Sequence, residues 1–533
     1  MRLLTTLLKH WAIHRLSRAA NLREIQRWML HRYARRTALV IGSRTLRFAA
    51  LERQLRQWAQ AIHAAGVGVG DRVLVAVDDP LTTVILRFAC VEAGVVQMSF
   101  LPSHQDEFVL SCARRGAPSL AILQHNQHAR WANILRADLP DLSVWRFTPG
   151  GELEQRVMGL PPHAVAHEVP MDVPLSLGFT SGTTGQPKLM QLQQAQLLAS
   201  MRLMLLNVED VRDKEVSMLI AVPLNGAGGG VLMPVLLAGG TAIIPTANDA
   251  ESLLTLLRDY RPGRMFVTPS QLIDLLDAES VCRSDFRSVS QLTYGSAPLP
   301  VARIREAIKR FGPILQQGYG MSEALPPVAM LPPFAHVDDA RDPANSALSS
   351  VGRIARGVRV EIRDEEGRKL AAGVIGRIWV NTPTLFSGYQ DQPELNAGIF
   401  DATGFYFTGD MGYFDTQERL HVLDRIQDLI YRNDGVIYPR QIEERVHECE
   451  GVKEAVLVEV AGVLHLVISP RRRPPAPVSQ ELIRRIDTHL QVALPESARP
   501  TRIHVWDELP RSVLGKVLRR EVRAALHAQS VAA

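Results

Sequence analysis

The chain has 533 residues, too many for one ordinary domain, and length alone predicts about two to four. Hydrophobic residues make up 46% and charged residues 22%, a balance that excludes disordered and fibrous chains. Sixty Lys+Arg against 55 Asp+Glu leave a net charge of +5, too dilute for the basic stripe of a nucleic-acid binder.

At the N-terminus Leu3, Leu4, Leu7, Leu8, Trp11, Ala12 and Leu16 share one helical face, with Arg2, Lys9, Arg15 and Arg18 mostly elsewhere. Lys9 and His10 interrupt the apolar stretch too early for a secretory signal. No apolar run reaches the roughly 18 to 20 residues needed to span a bilayer. The favoured reading is a helix packed on its own domain or a partner; peripheral membrane contact is the alternative. Four scattered cysteines (Cys90, Cys112, Cys282, Cys449) form no C-x-x-C pair, which argues against structural metal or disulfides and for a reducing, cytoplasmic setting.

From Thr37 the sequence alternates strand and helix signals. Strands are expected at Thr37 to Ile41, Arg72 to Val77, Val95 to Leu101, Leu120 to Leu123, Glu215 to Ala221, Thr241 to Ile244, Arg264 to Val267 and Ser290 to Tyr294. Helices are expected at Phe48 to Ala65, Leu86 to Gly94, Ala250 to Tyr260 and Pro300 to Phe311. This alternation predicts an α/β class with largely parallel, stacked sheets. After Ser350, short strands at Val358 to Arg363, Gly376 to Asn381 and Arg419 to Leu423 predict a β-rich subdomain. A small α+β unit follows, with a helix near Pro439 to Glu448, strands near Glu454 to Val460 and Val463 to Ser469, and an exposed loop at Pro470 to Pro477.

The most informative stretch is Phe179-Thr180-Ser181-Gly182-Thr183-Thr184-Gly185-Gln186-Pro187-Lys188, on a loop that leaves the apolar run Val173 to Gly178. Small hydroxyl residues and glycines let backbone N–H groups approach phosphate oxygens, and Lys188 adds a cation. The spacing is not that of a Walker A loop. Taken alone, such a stretch is as readily an ordinary turn.

Four more segments follow it in order. They are Tyr294-Gly295-Ser296-Ala297-Pro298, Gln317-Gly318-Tyr319-Gly320-Met321-Ser322-Glu323, Tyr406-Phe407-Thr408-Gly409-Asp410 with Asp424-Arg425-Ile426-Gln427-Asp428, and Pro510-Arg511-Ser512-Val513-Leu514-Gly515-Lys516. Together the blocks closely resemble the adenylate-forming superfamily of acyl-CoA synthetases, aryl-CoA ligases, luciferases and peptide-synthetase adenylation domains. The resemblance runs from about Thr37 to Arg523.

It implies an adenylation core over 1–423 (with 1–36 as an amphipathic extension), a hinge over 424–428 around Gln427, and a mobile C-terminal domain over 429–533. It also implies ATP and Mg²⁺ as cofactors and coenzyme A or a carrier-protein phosphopantetheine as acceptor. Thr180, Ser181, Gly182, Thr183, Thr184, Gly185 and Lys188 would hold the phosphates. Gly295, Ser296 and Ala297 would lie along adenine, with Tyr319 stacked on it beside Gly320. Glu323 would coordinate Mg²⁺, a hard cation that wants oxygen ligands. Asp410 would bind the ribose hydroxyls, supported by Arg425. Lys516 would bridge the substrate carboxylate and the α-phosphate, lowering the cost of bringing two anions together. The acyl pocket is expected at Asn225, Gly226, Gly228, Gly318 and Met321.

Several positions depart from the family pattern. Lys188 is followed by Leu189 rather than glycine, and Gln194 stands where a histidine is usual. Pro223-Leu224-Asn225-Gly226-Ala227-Gly228-Gly229 lacks the usual Phe-His pair, which either opens the pocket or brings backbone close to the ligand. The Phe-Asp pair that grips an α-amino group is missing, which disfavours an amino-acid substrate. The hinge residue is Gln427, the glycine of the next loop is displaced by Asp434, and the connection Val460 to Val463 is short. These changes make a carrier protein a serious alternative to free coenzyme A. A non-catalytic adenylate or acyl binder is the competing reading, against which the retained Glu323, Asp410 and Lys516 speak.

Overall fold

A computed structural model describes residues 12–181, 187–207, 217–336, 346–433, 435–471, 476–512 and 515–532. Two large sheets carry most of the chain. The six-stranded sheet runs in the order Ser143–Phe147, Leu120–Gln124, Arg72–Ala76, Val96–Ser99, Ser176–Ser181, Pro187–Leu192, and only its last pair is antiparallel. The nine-stranded sheet has a parallel centre from Leu315–Tyr319 through Gln291–Gly295, Arg264–Val267, Met218–Ile220 and Ala242–Ile244 to Thr37–Ile41. Antiparallel strands close both of its edges.

Strand alternation explains how one sheet serves two cores. Val73 and Val75 face a core shared with the other sheet, while Leu74 and Ala76 face a separate one. In the nine-stranded sheet Leu39 and Ile41 point into the shared core and Val40 points away. The shared core is filled by the helices Leu22–Arg32, Phe48–Ala64, Pro80–Ala93 and Ala227–Leu237, apolar enough to be buried between sheets.

The helix expected from Leu86 begins six residues earlier, at Pro80. Asp79 caps it by accepting from Thr82 N at 2.8 Å, Pro80 supplies a preset φ, and Gly94 (φ 70°) ends it. The strand Arg44–Arg47 was not expected, because three of its four residues are exposed and it carries no apolar alternation. The described part of the N-terminal segment, residues 12–18, is helical and buries Leu16 in the shared core, as expected of a helix packed on its own domain. Residues 1–11, with the rest of that apolar face, lie outside the described residues. No helix among the described residues is long and apolar enough to cross a membrane.

Beyond the large sheets, Arg359–Arg363, Gly376–Asn381, Tyr406–Phe414 and Leu420–Arg425 form an antiparallel four-stranded sheet. After Arg425 the chain makes a short turn of 3-10 helix, Ile426–Asp428, and then builds new sheets. These are the hairpin Ile430–Arg432 with Gly435–Ile437, and the three strands Val452–Val460, Val463–Pro470 and Arg502–Val505. This last unit rests on the nine-stranded part through polar contacts. Val301 N donates to Glu444 (3.0 Å), Lys453 pairs with Asp274 (2.8 Å), and Arg471 pairs with Asp277 (2.9 Å) and Glu306 (2.6 Å). Arg303 donates to the carbonyl of Val452. The four cysteines are free: Cys90 and Cys112 are buried, Cys449 is half-buried and Cys282 is exposed.

Candidate active site

The strands Ser176–Ser181 and Pro187–Leu192 pair antiparallel, with Thr180 opposite Lys188 and Ser181 opposite Pro187. The phosphate-loop candidate is therefore flanked on both sides by paired strands at the edge of the six-stranded sheet. Gly182, Thr183, Thr184 and Gly185 lie outside the described residues, as do the side chains of Thr180 and Ser181. Lys188 is described, and its Nζ sits 5.0 Å from the centre of the Tyr389 ring.

Tyr389 links this cation to the metal-ligand candidate. Its hydroxyl donates to Glu323 Oε1 at 2.7 Å, and Phe386 N donates to the Glu323 carbonyl at 2.8 Å. Burial and then the Glu323 charge push the Tyr389 hydroxyl far above its ordinary pKa, so it stays a donor. Asn396 holds the Tyr389 backbone at both its N–H and its carbonyl, each at 2.8 Å. Gln390 N donates to Leu189 at 2.9 Å, fixing the segment to the hairpin.

Asp410 is 5% exposed and lies opposite Arg425 across the four-stranded sheet. Its carboxylate accepts from Tyr319 Oη at 2.6 Å and pairs with Arg425 Nε at 2.8 Å. Burial raises the Asp410 pKa while Arg425 and Tyr319 oppose the rise. The Tyr319 strand reaches this point because Gly295 lies opposite Gly318 on the neighbouring strand. A Cβ on Gly295 would stand 2.7 Å from the Gly318 carbonyl, so only glycine permits that spacing. Ser296 follows in the left-handed region (φ 68°), turning the chain away from the sheet next to Ala297.

Lys516 enters from the C-terminal unit. Its loop is closed by Ser512 N donating to the Lys516 carbonyl (2.8 Å) and Arg511 Nη1 donating to Gly515 (2.9 Å). Gly515, at φ 76°, lies so close to Ser270 that a Cβ would collide with the serine hydroxyl. Lys516 is exposed to solvent, with protein packed close around its ammonium group. Burial, then the Arg425 charge, lowers its pKa below the ordinary lysine range, while Asp410 and Glu323 pull it upward. One ammonium thus feels both carboxylates.

The remaining expected residues divide. Gly226 caps the helix Ala227–Leu237 and is exposed, and Asn225 is half-buried beside it. Gly228 admits close backbone, since a Cβ there would meet the Val222 carbonyl at 2.5 Å; a Cβ at Gly230 or Gly318 would meet nothing within 4 Å. Gly320 packs against Pro326, and Met321 joins the apolar clusters around Tyr389 and the four-stranded sheet. Gln427 is exposed on the 3-10 turn. Gln194 is fully engaged: its amide donates to Pro170 (2.8 Å) and Val173 (2.9 Å) and accepts from Leu22 N (2.9 Å). Sequence reasoning missed Tyr389 and the Thr268–Ser270 seat of the lysine loop.

Two largely parallel sheets around shared helices, a third antiparallel sheet, and a small unit bringing a lysine toward Asp410 and Glu323 define the adenylate-forming class of fold. The chain belongs to the AMP-binding enzyme family, whose profile matches residues 26–390. It is 28% identical over 523 residues to a medium/long-chain-fatty-acid–CoA ligase, FadD8, of Mycobacterium tuberculosis, covering 93% of this chain and 88% of that protein. It is also 28% identical to a fatty acid–[acyl-carrier-protein] ligase, ScoC, of Streptomyces coeruleorubidus, covering 91% and 92%. Among solved structures, the anthranilate CoA ligase AuaEII in complex with anthranoyl-AMP superposes with a TM-score of 0.85 at 20% identity, over 96% of this chain and 98% of that one. At that identity the likeness is one of fold.

Proposed function

We infer that the chain is an AMP-forming acid–thiol ligase. It activates a carboxylic acid with ATP as the acyl-adenylate, releases pyrophosphate, and passes the acyl group to the thiol of coenzyme A or of a carrier protein's phosphopantetheine. The observation that carries the reading is the convergence of Lys516 on Asp410, Arg425 and Glu323 from a separate unit of the chain.

In this reading Asp410, fixed by Tyr319 and Arg425, accepts hydrogen bonds from the ribose hydroxyls, and Gly295, Ser296 and Ala297 flank adenine. Thr180, Ser181, Thr183, Thr184 and Lys188 hold the β- and γ-phosphates. A substrate carboxylate oxygen attacks the α-phosphorus, the bond to the bridging oxygen breaks, and pyrophosphate leaves. Lys516 sits where both anions meet and offsets their repulsion, so catalysis is positioning and charge neutralisation. A thiol sulfur then attacks the acyl carbonyl and loses its proton, and AMP departs. The C-terminal unit, 429–533, turns about 424–428 between the two steps.

Glu323 fits a Mg²⁺ ligand. It offers a hard oxygen donor oriented by Tyr389, and no group of three or more metal-ligating side chains exists among the described residues. That suits an ion shared with substrate phosphates rather than caged by protein. When bound, Mg²⁺ supplies further neutralisation of the triphosphate.

We place the acyl or aryl group beside Asn225, Gly226, Gly228, Gly318 and Met321; a Cβ at Gly318 would meet nothing within 4 Å. The likeness to fatty-acid ligases supports an acyl acid, and the carrier-protein ligase among them supports a carrier acceptor. Four free cysteines suit a cytoplasmic site of action. No observation favours a non-catalytic binder. The test is ATP-dependent pyrophosphate release across aryl, short-chain and long-chain acids, followed by transfer to coenzyme A or holo-carrier. Lys516→Ala should lose about 10²- to 10³-fold in adenylation while still binding ATP; pyrophosphate release unchanged by that substitution would overturn the assignment.

A further inference from the structure

The helix Val301–Phe311 lies where the C-terminal unit meets the nine-stranded part, and it starts without a cap of its own. Pro300 stands at the cap position with no polar side chain, and the first turn holds no acidic residue. The leading N–H of Val301 and the positive end of the helix dipole therefore lack a local partner. That partner comes from 143 positions along the chain, where the Glu444 carboxylate accepts from Val301 N at 3.0 Å.

Glu444 stands on the helix Pro439–Val446 of the C-terminal unit. Its neighbour Glu443, 8% exposed, is bound within that unit instead. The Glu443 carboxylate accepts from Leu457 N at 2.7 Å and from Arg519 Nη1 and Nη2 at 2.5 and 2.8 Å. Arg519 comes shortly after Lys516 and begins the helix Arg519–Ala532. A charged contact made through two hydrogen bonds fixes orientation as well as distance. One short helix thus holds the large part with one carboxylate and the base of the lysine loop with the next.

We propose that Glu444 is a positioning residue for Lys516: it caps the helix Val301–Phe311 across the two parts and so directs the lysine toward Asp410 and Glu323. The cap is exchangeable, because water can satisfy Val301 N–H and solvate the carboxylate when the unit turns away. Its worth is that of a single cap, enough to bias the docked arrangement without locking it. The kinetic consequence rests on the ligase reading; the cap itself does not.

The test compares the full chain with Glu444→Ala, which removes the acceptor, and Glu444→Gln, whose amide oxygen can still accept from Val301. Dodecanoate serves as the probe acid. In Glu444→Ala the kcat of pyrophosphate release should fall about three- to tenfold with KM for ATP unchanged, and Glu444→Gln should restore most of it. Transfer from synthetic dodecanoyl-adenylate to coenzyme A should run at the wild-type rate in all three, since that step does not use the docked lysine. A merely structural role would slow both steps together; that result, or wild-type pyrophosphate release by Glu444→Ala, overturns the proposal. Deuterium uptake at the start of the helix Val301–Phe311 needs no substrate. It should quicken in Glu444→Ala and return toward wild type in Glu444→Gln, and equal uptake in all three overturns the cap. A wild-type chain inert toward dodecanoate would count against the ligase reading with that acid, while deuterium uptake still decides the cap.

Discussion

In the proposed reaction Lys516 acts only while protonated, and its surroundings lower its pKa below that of an ordinary lysine. Adenylation should therefore be full at neutral pH and decline on the alkaline side, through a midpoint below the usual lysine range. Lys516→Arg, which does not titrate there, should lose that alkaline limb in a pH profile of pyrophosphate release, whatever its absolute rate. Tyr389 has a different signature. Tyr389→Phe keeps the ring beneath Lys188 but removes the hydrogen bond to Glu323, so the Mg²⁺ concentration for half-maximal activity should rise about 10-fold or more. An unchanged Mg²⁺ titration would show that Glu323 needs no such positioning. Lys516, Asp410, Arg425 and Glu323 could be picked out of the sequence because each stands in a block of small and charged residues with fixed spacing. Tyr389 could not: it lies in a polar stretch between Ser387 and Gln392 with no chemistry-bearing pattern, and its role comes from packing against a hairpin some 200 residues away in the chain.

At the scale of elements, the parallel strands and buried helices were readable from apolar runs and caps, whereas Arg44–Arg47 was not, because an exposed edge strand needs no hydrophobic pattern. The hairpin Ser176–Ser181 with Pro187–Leu192 was read as a loop leaving a strand, since its glycines and hydroxyls hide the pairing of its arms. Gln194 shows why a departure from pattern is not always a change of chemistry. It is 2% exposed and satisfies three backbone groups, including the first N–H of the helix Leu22–Arg32. Gln194→Ala would leave those groups without partners at about 1–3 kcal/mol each where buried. We expect a clear drop in the urea midpoint; a midpoint shift within error would mean that water replaces the amide.

For the molecule as a whole, the unit beginning after Arg425 is held to the larger part by polar and ionic contacts rather than by a shared apolar core. Such contacts are individually worth little at the surface, which suits the proposed docking and release of this unit. Lys453→Glu would set a carboxylate against Asp274 and shift the balance toward release. We expect adenylation to fall about two- to fivefold and protease cleavage between 424 and 435 to quicken, with the melting temperature nearly unchanged. Equal cleavage rates in both proteins would argue against a mobile unit.

The four cysteines are unevenly reactive. Burial pushes the thiols of Cys90 and Cys112 up to about 12, so at neutral pH they resist alkylation. Cys282 is exposed on the larger part, and Cys449 is half-buried on the smaller one. Maleimide reagents should therefore react first at Cys282 and more slowly at Cys449. The native chain thus offers one fluorophore anchor on each side of the turn at Ile426–Asp428, a ready-made ruler for following their separation during turnover.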